Sequence, residues 1–322
     1  MKILRKRSRL HRDYAPPEGL EPPTCGLEVR CSILLSYRGF LYKKYNQTPV
    51  FDKTLEWFII IVMVDLLFNE FFSELPEEGF AELFKEGYPW EPLKVLKDFL
   101  FDTLPELPKD FPVETPLRED LFLTLEGEVI PVSELTFING ECFFKGERVL
   151  GALIKAGAYF SGRKFYLGNS AIVEPFAYLK EPVYVGDQAE IRHAAYLRGS
   201  VYVSSKAVIG HTTEVKNSIF FPQAKAAHFA YVGDSILGRD VNLGAGTKLA
   251  NLKFHKREIT IEIEGRVYKT GLKKFGAILG DRVQTGCNAV LQPGTLVGQG
   301  SFIFPGVVAG PGFIPKGSKI KK

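Results

Sequence analysis

One stretch of the chain, residues 225–251, gathers polar side chains of the kinds that move protons and hold small polar ligands. It contains one histidine, His228, one tyrosine, Tyr231, and two asparagines, Asn242 and Asn251. An imidazole titrates near neutral pH, so His228 is a candidate base for accepting a proton from an attacking nucleophile. Phenol and amide groups supply the hydrogen bonds that orient a substrate. We therefore predict a functional site in this stretch.

The site lies inside a six-residue repeat. Such repeats signal a parallel β-helix, in which each coil has three short strands and buries its inward side chains only when neighbouring coils stack on it. The coil then repeats about every eighteen residues. The sequence predicts a mainly β solenoid over residues 146–322. Aliphatic side chains recur six positions apart at Leu167, Val173, Leu179, Val185, Ile191, Leu197, Val203, Ile209 and Val215.

Two cations, Arg198 and Lys216, are separated by one such coil. The repeat places them on the same face of consecutive coils. A guanidinium binds phosphate oxygens in a bidentate manner, and a lysine adds a point charge. The pair predicts a phosphate site, with a solvated basic face as the alternative.

The formal charge of +4 is unevenly distributed. Residues 1–62 hold eleven Lys or Arg and six Asp or Glu, which leaves −1 for the rest of the chain. The overall basic character therefore does not predict a nucleic-acid-binding protein. The four cysteines fit no metal or redox spacing, and a reducing cytoplasm is the expected compartment.

Three segments carry a family resemblance: KAAHFAYVGD at 225–234, VNLGAGT at 241–247 and ANL at 250–252. A fourth, KKFGAILGD at 273–281 with Thr285-Gly286, follows the archaeal-type version of the same domain. Over roughly residues 165–315 the chain resembles the hexapeptide acetyltransferase domain of the bifunctional enzymes that make UDP-N-acetylglucosamine from glucosamine-1-phosphate. The resemblance implies a left-handed parallel β-helix, and it implies acetyl transfer from acetyl-CoA to the amine of an amino-sugar-1-phosphate.

The resemblance also implies residue roles. His228 matches the catalytic base, and Tyr231 and Asn251 match neighbouring catalytic-site positions. The positions that contact the sugar phosphate are matched by Arg198, Lys216, Asn242 and Arg257. Those that contact acetyl-CoA are matched by Ala245, Gly246 and Cys287. Two of these depart from the family pattern, because Arg257 stands where a lysine often occurs and Cys287 replaces a serine seen in some relatives.

In the family the site lies between subunits of a trimer, so we expect a homotrimer. The chain has no Gly-rich phosphate-binding loop like the one that opens the family's nucleotidyltransferase half, so we expect no nucleotide-sugar synthesis by this chain itself. Two other functions stay open. One is a non-catalytic sugar-nucleotide-binding or scaffold protein, and the other is a partner subunit of a separate nucleotidyltransferase. Glucosamine and galactosamine acceptors are not distinguished.

Three histidines, His193, His211 and His228, follow one another at eighteen and seventeen residues. Three imidazoles stacked near one edge could bind zinc, as in hexapeptide carbonic anhydrases. The ligand spacing of those enzymes differs from the spacing in this chain. We predict no metal site.

Two further segments flank or interrupt the solenoid. Residues 63–145 combine helical apolar stripes with alternating strand patterns, and they predict a helical cap with short strands at the open end of the solenoid. Residues 254–276 break the hexads and alternate with period two around Gly265, which predicts an inserted hairpin projecting from the prism.

Residues 1–62 need a separate explanation. Gly19-Leu20-Glu21-Pro22 and the CSILLSY segment at 31–37 are what antisense transfer-RNA arms encode. We expect translation of the native protein to start at Met63, with an ordinary disordered basic tail as the alternative. The apolar run near residues 57–68 is too short and too interrupted to cross a bilayer, so no membrane span is predicted.

Overall fold

The protein is represented by a computed structural model that describes residues 68–75, 80–84, 87–263 and 265–321. The expectations about residues 1–62 and about Met63 lie outside these residues. Within the described ranges, no helix has both the length and the apolar character that crossing a bilayer requires.

Three sheets, parallel from β6 onward, wrap around one core and form a three-sided β-helix. From β6 onward, successive strands of the solenoid lie on face I, face II and face III in turn. Face I comprises β1 (Leu121–Thr124), β2 (Val129–Pro131), β6 (Gly151–Ile154), β9 (Ile172–Val173), β12 (Glu190–Ile191), β15 (Val208–His211), β18 (Lys225–His228), β21 (Asn242–Leu243), β26 (Gln284–Thr285), β29 (Phe302–Ile303) and β32 (Lys319–Ile320).

The other two faces have eight strands each. Face II comprises β7 (Tyr159–Ser161), β10 (Tyr178–Lys180), β13 (Tyr196–Leu197), β16 (Glu214–Lys216), β19 (Tyr231–Gly233), β22 (Lys248–Leu249), β27 (Val290–Leu291) and β30 (Val308–Ala309). Face III comprises β8 (Phe165–Leu167), β11 (Val183–Val185), β14 (Val201–Val203), β17 (Ser218–Phe220), β20 (Ile236–Leu237), β25 (Ala277–Leu279), β28 (Thr295–Val297) and β31 (Gly312–Ile314).

The prediction of a mainly β solenoid is confirmed. All nine repeat positions from Leu167 to Val215 are buried in one continuous hydrophobic core. Each aliphatic side chain removed from water in this way contributes about 1.5–3 kcal/mol. The left hand of the coil stays an implication of the resemblance.

The coil length changes along the chain. Ile191 pairs with Ile209 eighteen residues later, whereas Ile209 pairs with Ala226 after only seventeen. The shorter coils arise because one step of the repeat contains five residues, as between the buried side chains of Val215 and Phe220. Register predicted at a fixed eighteen residues therefore slips by one beyond Val215.

The segment that we expected at the open end lies on a lateral face instead. Its helical parts pack against the outward side chains of face III and form a second hydrophobic core with them. Phe72, for example, stacks on Phe221 with ring centroids 4.8 Å apart. The helical parts are residues 68–71, a 3-10 helix at Ala81–Phe84 and helix α1 at Pro92–Thr103.

Strands, rather than helices, close the first coil. β1 pairs antiparallel with β6, and its Leu121 and Leu123 join the solenoid core together with Leu107 and Phe111. Pairing of this kind covers an edge that would otherwise be open. A second 3-10 helix, Val132–Glu134, leads to a separate antiparallel sheet of β3 (Thr136–Ile138), β4 (Glu141–Phe144) and β5 (Glu147–Val149).

The insertion between β22 and β25 contains the expected hairpin, formed by β23 (Thr260–Ile263) and β24 (Arg266–Lys269). It does not project freely. Ile259, Ile261 and Ile263 are buried in the second core, because alternate side chains of β23 point toward face III. The ladder continues across the insertion, since Asn242 of β21 pairs with Gln284 of β26, 42 residues later.

Candidate active site

The corner between faces I and II carries the predicted base. His228 is the last residue of β18 and is exposed, and it pairs in register with His211 on the preceding coil. His211 stacks on His193 with ring centroids 5.4 Å apart, and His211 Nδ1 lies 3.2 Å from the His193 carbonyl oxygen. Equivalent positions of successive coils line up, so the three histidines form one column at this corner.

The same corner continues through the residues predicted for acetyl-CoA. The Gly246 N–H donates to the His228 carbonyl at 3.0 Å, and the Asn288 N–H donates to the Ala245 carbonyl at 2.8 Å. These bonds stack Ala245 and the exposed Cys287 on successive coils beyond His228. Gly246 has a φ of +74°, and a Cβ there would lie 2.8 Å from the Phe229 ring, so only glycine suits the position.

Face II presents a column of cations to the exterior. Arg198 and Lys216 follow the paired inward residues Leu197 and Val215, so they lie side by side as predicted. Arg198 Nη1 donates to Glu214 Oε1 at 2.7 Å, and this bond, opposed by partial burial, raises the pKa of the guanidinium. Lys216 Nζ lies 3.8 Å from Asp234 Oδ1. The side chains of Arg198 and Lys216 therefore lie next to each other on the exterior of face II.

A buried carboxylate organises the corner between faces II and III. Asp234 is 4 % exposed. Its Oδ1 accepts a hydrogen bond from Asn217 Nδ2 at 3.1 Å, and its Oδ2 accepts one from Asn251 Nδ2 at 2.5 Å. Asn217 Nδ2 also lies 3.2 Å from the carbonyl oxygen of Leu93 in α1. A buried charge requires such partners, so the carboxylate fixes the orientation of Asn251.

Tyr231 completes this network from face II. Its hydroxyl donates to Asn251 Oδ1 at 3.3 Å. Burial is the main cause that raises the pKa of Tyr231, followed by the nearby carboxylates of Glu214 and Asp234. The phenol therefore remains a hydrogen-bond donor at neutral pH. A Cβ on Gly233 would lie 2.7 Å from the Tyr231 hydroxyl, so this glycine makes room for the ring.

Two predicted residues lie away from the network around Asp234. Asn242 is on face I, paired with Lys225 and Gln284. Arg257 is exposed in the insertion, where its backbone N–H donates to His255 Nδ1 at 3.1 Å. The structure therefore brings together Arg198, Lys216, Tyr231 and Asn251 along face II, with His228 at its edge. The roles of Asn242 and Arg257 stay predictions.

Sequence reasoning did not assign a role to Asp234, to Asn217 or to Gly233. A signal was present, because Asn217, Asp234 and Asn251 are seventeen residues apart and therefore stack on consecutive short coils. A search at eighteen residues misses this column. Glu214, the carboxylate partner of Arg198, lies one position from the inward Val215 and also carried no distinguishing pattern.

Comparison with known proteins places the similarity in this region. Residues 179–297 match the family described as GMPPB C-terminal domain. A bifunctional sugar-1-phosphate nucleotidylyltransferase/acetyltransferase of Sulfurisphaera tokodaii is 42% identical over 85 residues, which are 26% of this chain and 21% of that protein. The bifunctional protein GlmU of Methanococcus vannielii is 45% identical over 85 residues, 26% of this chain and 20% of that protein.

The resemblance is confirmed for the C-terminal part of the chain. The chain spans about a fifth of the length of these curated relatives. Among solved structures, a putative acetyltransferase of Bacillus cereus aligns with 18% identity and a TM-score of 0.24, covering 52% of this chain and 76% of its own. UDP-N-acetylglucosamine acyltransferase from Campylobacter jejuni aligns with 12% identity and a TM-score of 0.20, covering 50% and 69%. The fold assignment rests on the strand order itself.

Proposed function

We propose that the protein transfers an acetyl group from acetyl-CoA to the amine of an amino-sugar-1-phosphate, glucosamine-1-phosphate or galactosamine-1-phosphate. The arrangement of face II carries the proposal. An exposed imidazole lies at one edge, a buried Asp–Asn–Tyr network at the other, and two phosphate-binding cations lie beside them. The similarity to sugar-1-phosphate nucleotidylyltransferase/acetyltransferases supports the same class of reaction.

In the proposed reaction the neutral amine of the sugar attacks the thioester carbonyl carbon. A C–N bond forms, the C–S bond breaks, and His228 accepts the proton that the nitrogen loses. The sulfur leaves as the thiol of coenzyme A after taking up a proton, which the protonated His228 returns.

Arg198 and Lys216 bind the sugar phosphate in this proposal, and Tyr231 with Asn251 position the sugar ring. Asp234 holds Asn251 but does not itself contact substrate. Acetyl-CoA lies along the corner column, against Ala245, Gly246 and Cys287. We propose a homotrimer in which a neighbouring subunit covers this edge, so that dilution into monomers abolishes activity.

A second candidate is a non-catalytic protein that binds a sugar nucleotide. The departure at Arg257 favours it, because an arginine stands where the family often has a lysine, at an exposed position in the insertion. In that case sugar phosphate binds but no thiol is released. A partner subunit that supplies acetyl transfer beside a separate nucleotidyltransferase would keep activity and co-purify with that enzyme.

Thiol release from acetyl-CoA tests the proposal, with glucosamine-1-phosphate or galactosamine-1-phosphate as acceptor. We expect His228→Ala to lose at least about a hundredfold in rate, the effect of removing a general base. His193→Ala is the matched control, since it removes an imidazole from the same column two coils away, and its rate should stay within about threefold. Equal rates for wild type and His228→Ala would refute the proposed role.

A further inference from the structure

The cation column on face II is longer than a sugar monophosphate requires. Lys180 follows Leu179, which pairs in register with Leu197, so Lys180 lies beside Arg198 just as Arg198 lies beside Lys216. Neighbouring strands are about 4.8 Å apart, so the three backbone positions span about 10 Å in a line. Lys180 is exposed.

The three cations differ in their carboxylate partners. Arg198 is paired with Glu214 at 2.7 Å, and Lys216 lies 3.8 Å from Asp234. Among the described residues, no carboxylate oxygen lies within 4.0 Å of the Lys180 ammonium. A single phosphate held by Arg198 and Lys216 therefore leaves the outermost cation with no direct ion pair, while its charge acts at longer range on the Glu114 carboxylate. A second phosphate attached to the first would reach that cation.

A column of tyrosines runs beside these cations. Tyr159 stacks on Tyr178 with ring centroids 4.8 Å apart and an interplanar angle of 7°. Tyr196 turns away from that stack, meeting Tyr178 at 84°, and it is 41% exposed. Aromatic rings beside a cationic track bind the bases of nucleotides by stacking. The column thus supplies ring edges, together with the exposed ring of Tyr196, as a surface that a nucleoside can contact beside the phosphates.

A carboxylate ends the column. Glu114 accepts hydrogen bonds from the Gly162 N–H at 2.7 Å, the Ser161 hydroxyl at 3.1 Å and the Tyr159 hydroxyl at 3.1 Å. The Gly162 bond is the main cause that lowers the pKa of this carboxyl, so it is negatively charged at neutral pH. It lies within electrostatic range of Lys180 and can accept a hydrogen bond from a ribose hydroxyl. The surface from Gly233 to Ser161 crosses four strand spacings, about 19 Å, which suits an extended ligand.

We infer that the acceptor is an amino sugar linked to a nucleoside diphosphate, with its second phosphate bound by Lys180 and its nucleoside against Tyr178 and Tyr159. The inference rests on the proposed function and extends its acceptor from a sugar monophosphate to a diphosphate ester. The first phosphate keeps the contacts with Arg198 and Lys216 that a sugar-1-phosphate would make.

Calorimetric titration of the full chain with uridine monophosphate and uridine diphosphate tests the site without requiring turnover. We expect the diphosphate to bind about tenfold more tightly, as a charge-assisted contact predicts. Lys180→Ala should remove this preference and leave monophosphate binding within about twofold, whereas Lys180→Arg should retain it. Lys206→Ala, which removes an exposed lysine outside the column, is the control and should change neither affinity. Equal affinities for the two nucleotides in wild type would overturn the inference.

The nucleoside part of the inference has its own test. We expect Tyr178→Leu to weaken uridine diphosphate about fivefold, from lost contact with the tyrosine column, and to leave inorganic pyrophosphate unchanged. Tyr178→Phe keeps the ring and should bind like wild type. Farnesyl diphosphate supplies the alternative source of a diphosphate, and binding as tight as that of uridine diphosphate would overturn the nucleoside assignment.

Turnover separates this inference from the proposed function. We expect kcat/KM for UDP-glucosamine to exceed that for glucosamine-1-phosphate by about tenfold, and Lys180→Ala to equalise the two. Efficient acetylation of the monophosphate alone would leave the proposed function standing and overturn the inference. If neither acceptor is acetylated while uridine diphosphate binds through Lys180, the proposed function fails and the diphosphate site stands.

Discussion

Faces II and III carry the same tyrosine ladder in the same three coils, and they use it differently. On face III, Tyr184 and Tyr202 lie under Phe80, with ring centroids 4.7 and 4.0 Å from it. On face II the equivalent column, which includes Tyr178 and Tyr196, lies beside a row of cations and is partly exposed. The repeat alone produces stacked rings, since it places equivalent residues one strand apart. The neighbouring groups decide whether the tyrosines become part of a core, as under Phe80, or stay partly exposed, as beside the cations.

The later coils show the same divergence more strongly. Face III presents buried aliphatic side chains to its covering segment, at Ile219, Ile236 and Ile278. Face II presents Glu214 and Tyr231 at the matching outward positions of its own strands. One lateral face therefore contributes stability by burying apolar area, and the other keeps polar groups at its surface.

The largest expected effect is on stability, and it tests whether face III is a core. Phe72 is fully buried and stacks on Phe221, so Phe72→Ala should cost about 3–5 kcal/mol in free energy of unfolding. Phe176→Ala, at a 66% exposed position near face II, should cost less than about 0.5 kcal/mol. Chemical denaturation measures both. Similar losses of stability in the two variants would show that face III is no more a hydrophobic core than the exposed surface near face II.

The next effect concerns the corner where the two faces meet. The buried Asp234 carboxylate accepts hydrogen bonds from the side-chain amides of Asn217 and Asn251. In Asp234→Asn one of its two oxygens becomes an NH2 group, which cannot accept, and each lost hydrogen bond costs about 1–3 kcal/mol. We expect kcat/KM for acetyl transfer to fall between about 10- and 100-fold as Asn251 loses its orientation.

Asp240→Asn is the matched control for that substitution. It makes the same chemical change at an exposed turn one strand away, where asparagine tolerates the φ of +56°. Its activity should equal that of wild type. A fall of the same size in both variants would show that the effect is not specific to the buried network.

A smaller effect tests the close packing on face II. In Gly233→Ala the new Cβ would lie 2.6 Å from Asn251 Nδ2 and 2.7 Å from the Tyr231 hydroxyl, so both side chains must move. We expect KM for the sugar phosphate to rise about tenfold, because positioning is lost rather than the base. A thermal melt within a few degrees of wild type would show that the fold persists. Unchanged KM would mean that the Tyr231–Asn251 pair does not position the acceptor.

The smallest expected effect is on stability and concerns a partly exposed ion pair outside faces II and III, between Lys155 and Asp120. Lys155 Nζ and the Ala156 N–H each donate to the Asp120 carboxylate at 2.8 Å, and they lower its pKa, the lysine bond being the larger cause. Because the pKa of Asp120 is lower in the folded state, its ionised form stabilises the fold at pH values above the pKa of the unfolded chain, near 3.9. This stabilisation is lost as the pH falls through the pKa of the folded state. After allowance for solvent screening, Asp120→Asn should cost at most about 1 kcal/mol at pH 7. The measurement is chemical denaturation at pH 7 and at a pH below the pKa of the folded state. At the lower pH the difference in free energy of unfolding from wild type should vanish.

Much of the solenoid was predictable because its period is local. A buried aliphatic residue every six positions requires stacked coils, and that alone predicted which side chains from Leu167 to Val215 point inward. The five-residue steps were not predictable from the hexads. Because of these steps, the prediction missed the column of Asn217, Asp234 and Asn251, whose members line up only when the coil has seventeen residues.

The location of the helical segment depended on contacts that sequence spacing does not encode. An apolar stripe on a helix shows that one side must be buried, but not against which surface. The outcome was decided by bonds such as those from the Ser73 N–H and hydroxyl to Asp281 Oδ2, across 208 residues. The hairpin shows the same limit, since its alternation predicted two strands and gave no indication that Ile261 would join the second core.

The contact between Ser73 and Asp281 also constrains the order in which the chain matures on a ribosome. Each coil needs only the coil before it, so the solenoid can grow as it emerges, whereas Phe71 and Ser73 wait for Asp281, which is synthesised about two hundred residues later. We expect nascent chains stopped before residue 281 to hold formed coils with residues 71–73 not yet anchored and face III only partly covered, and to bind chaperones. Proteolysis of such stalled chains should cut near residue 72 and spare the coils already built, and protection of both segments would contradict this order.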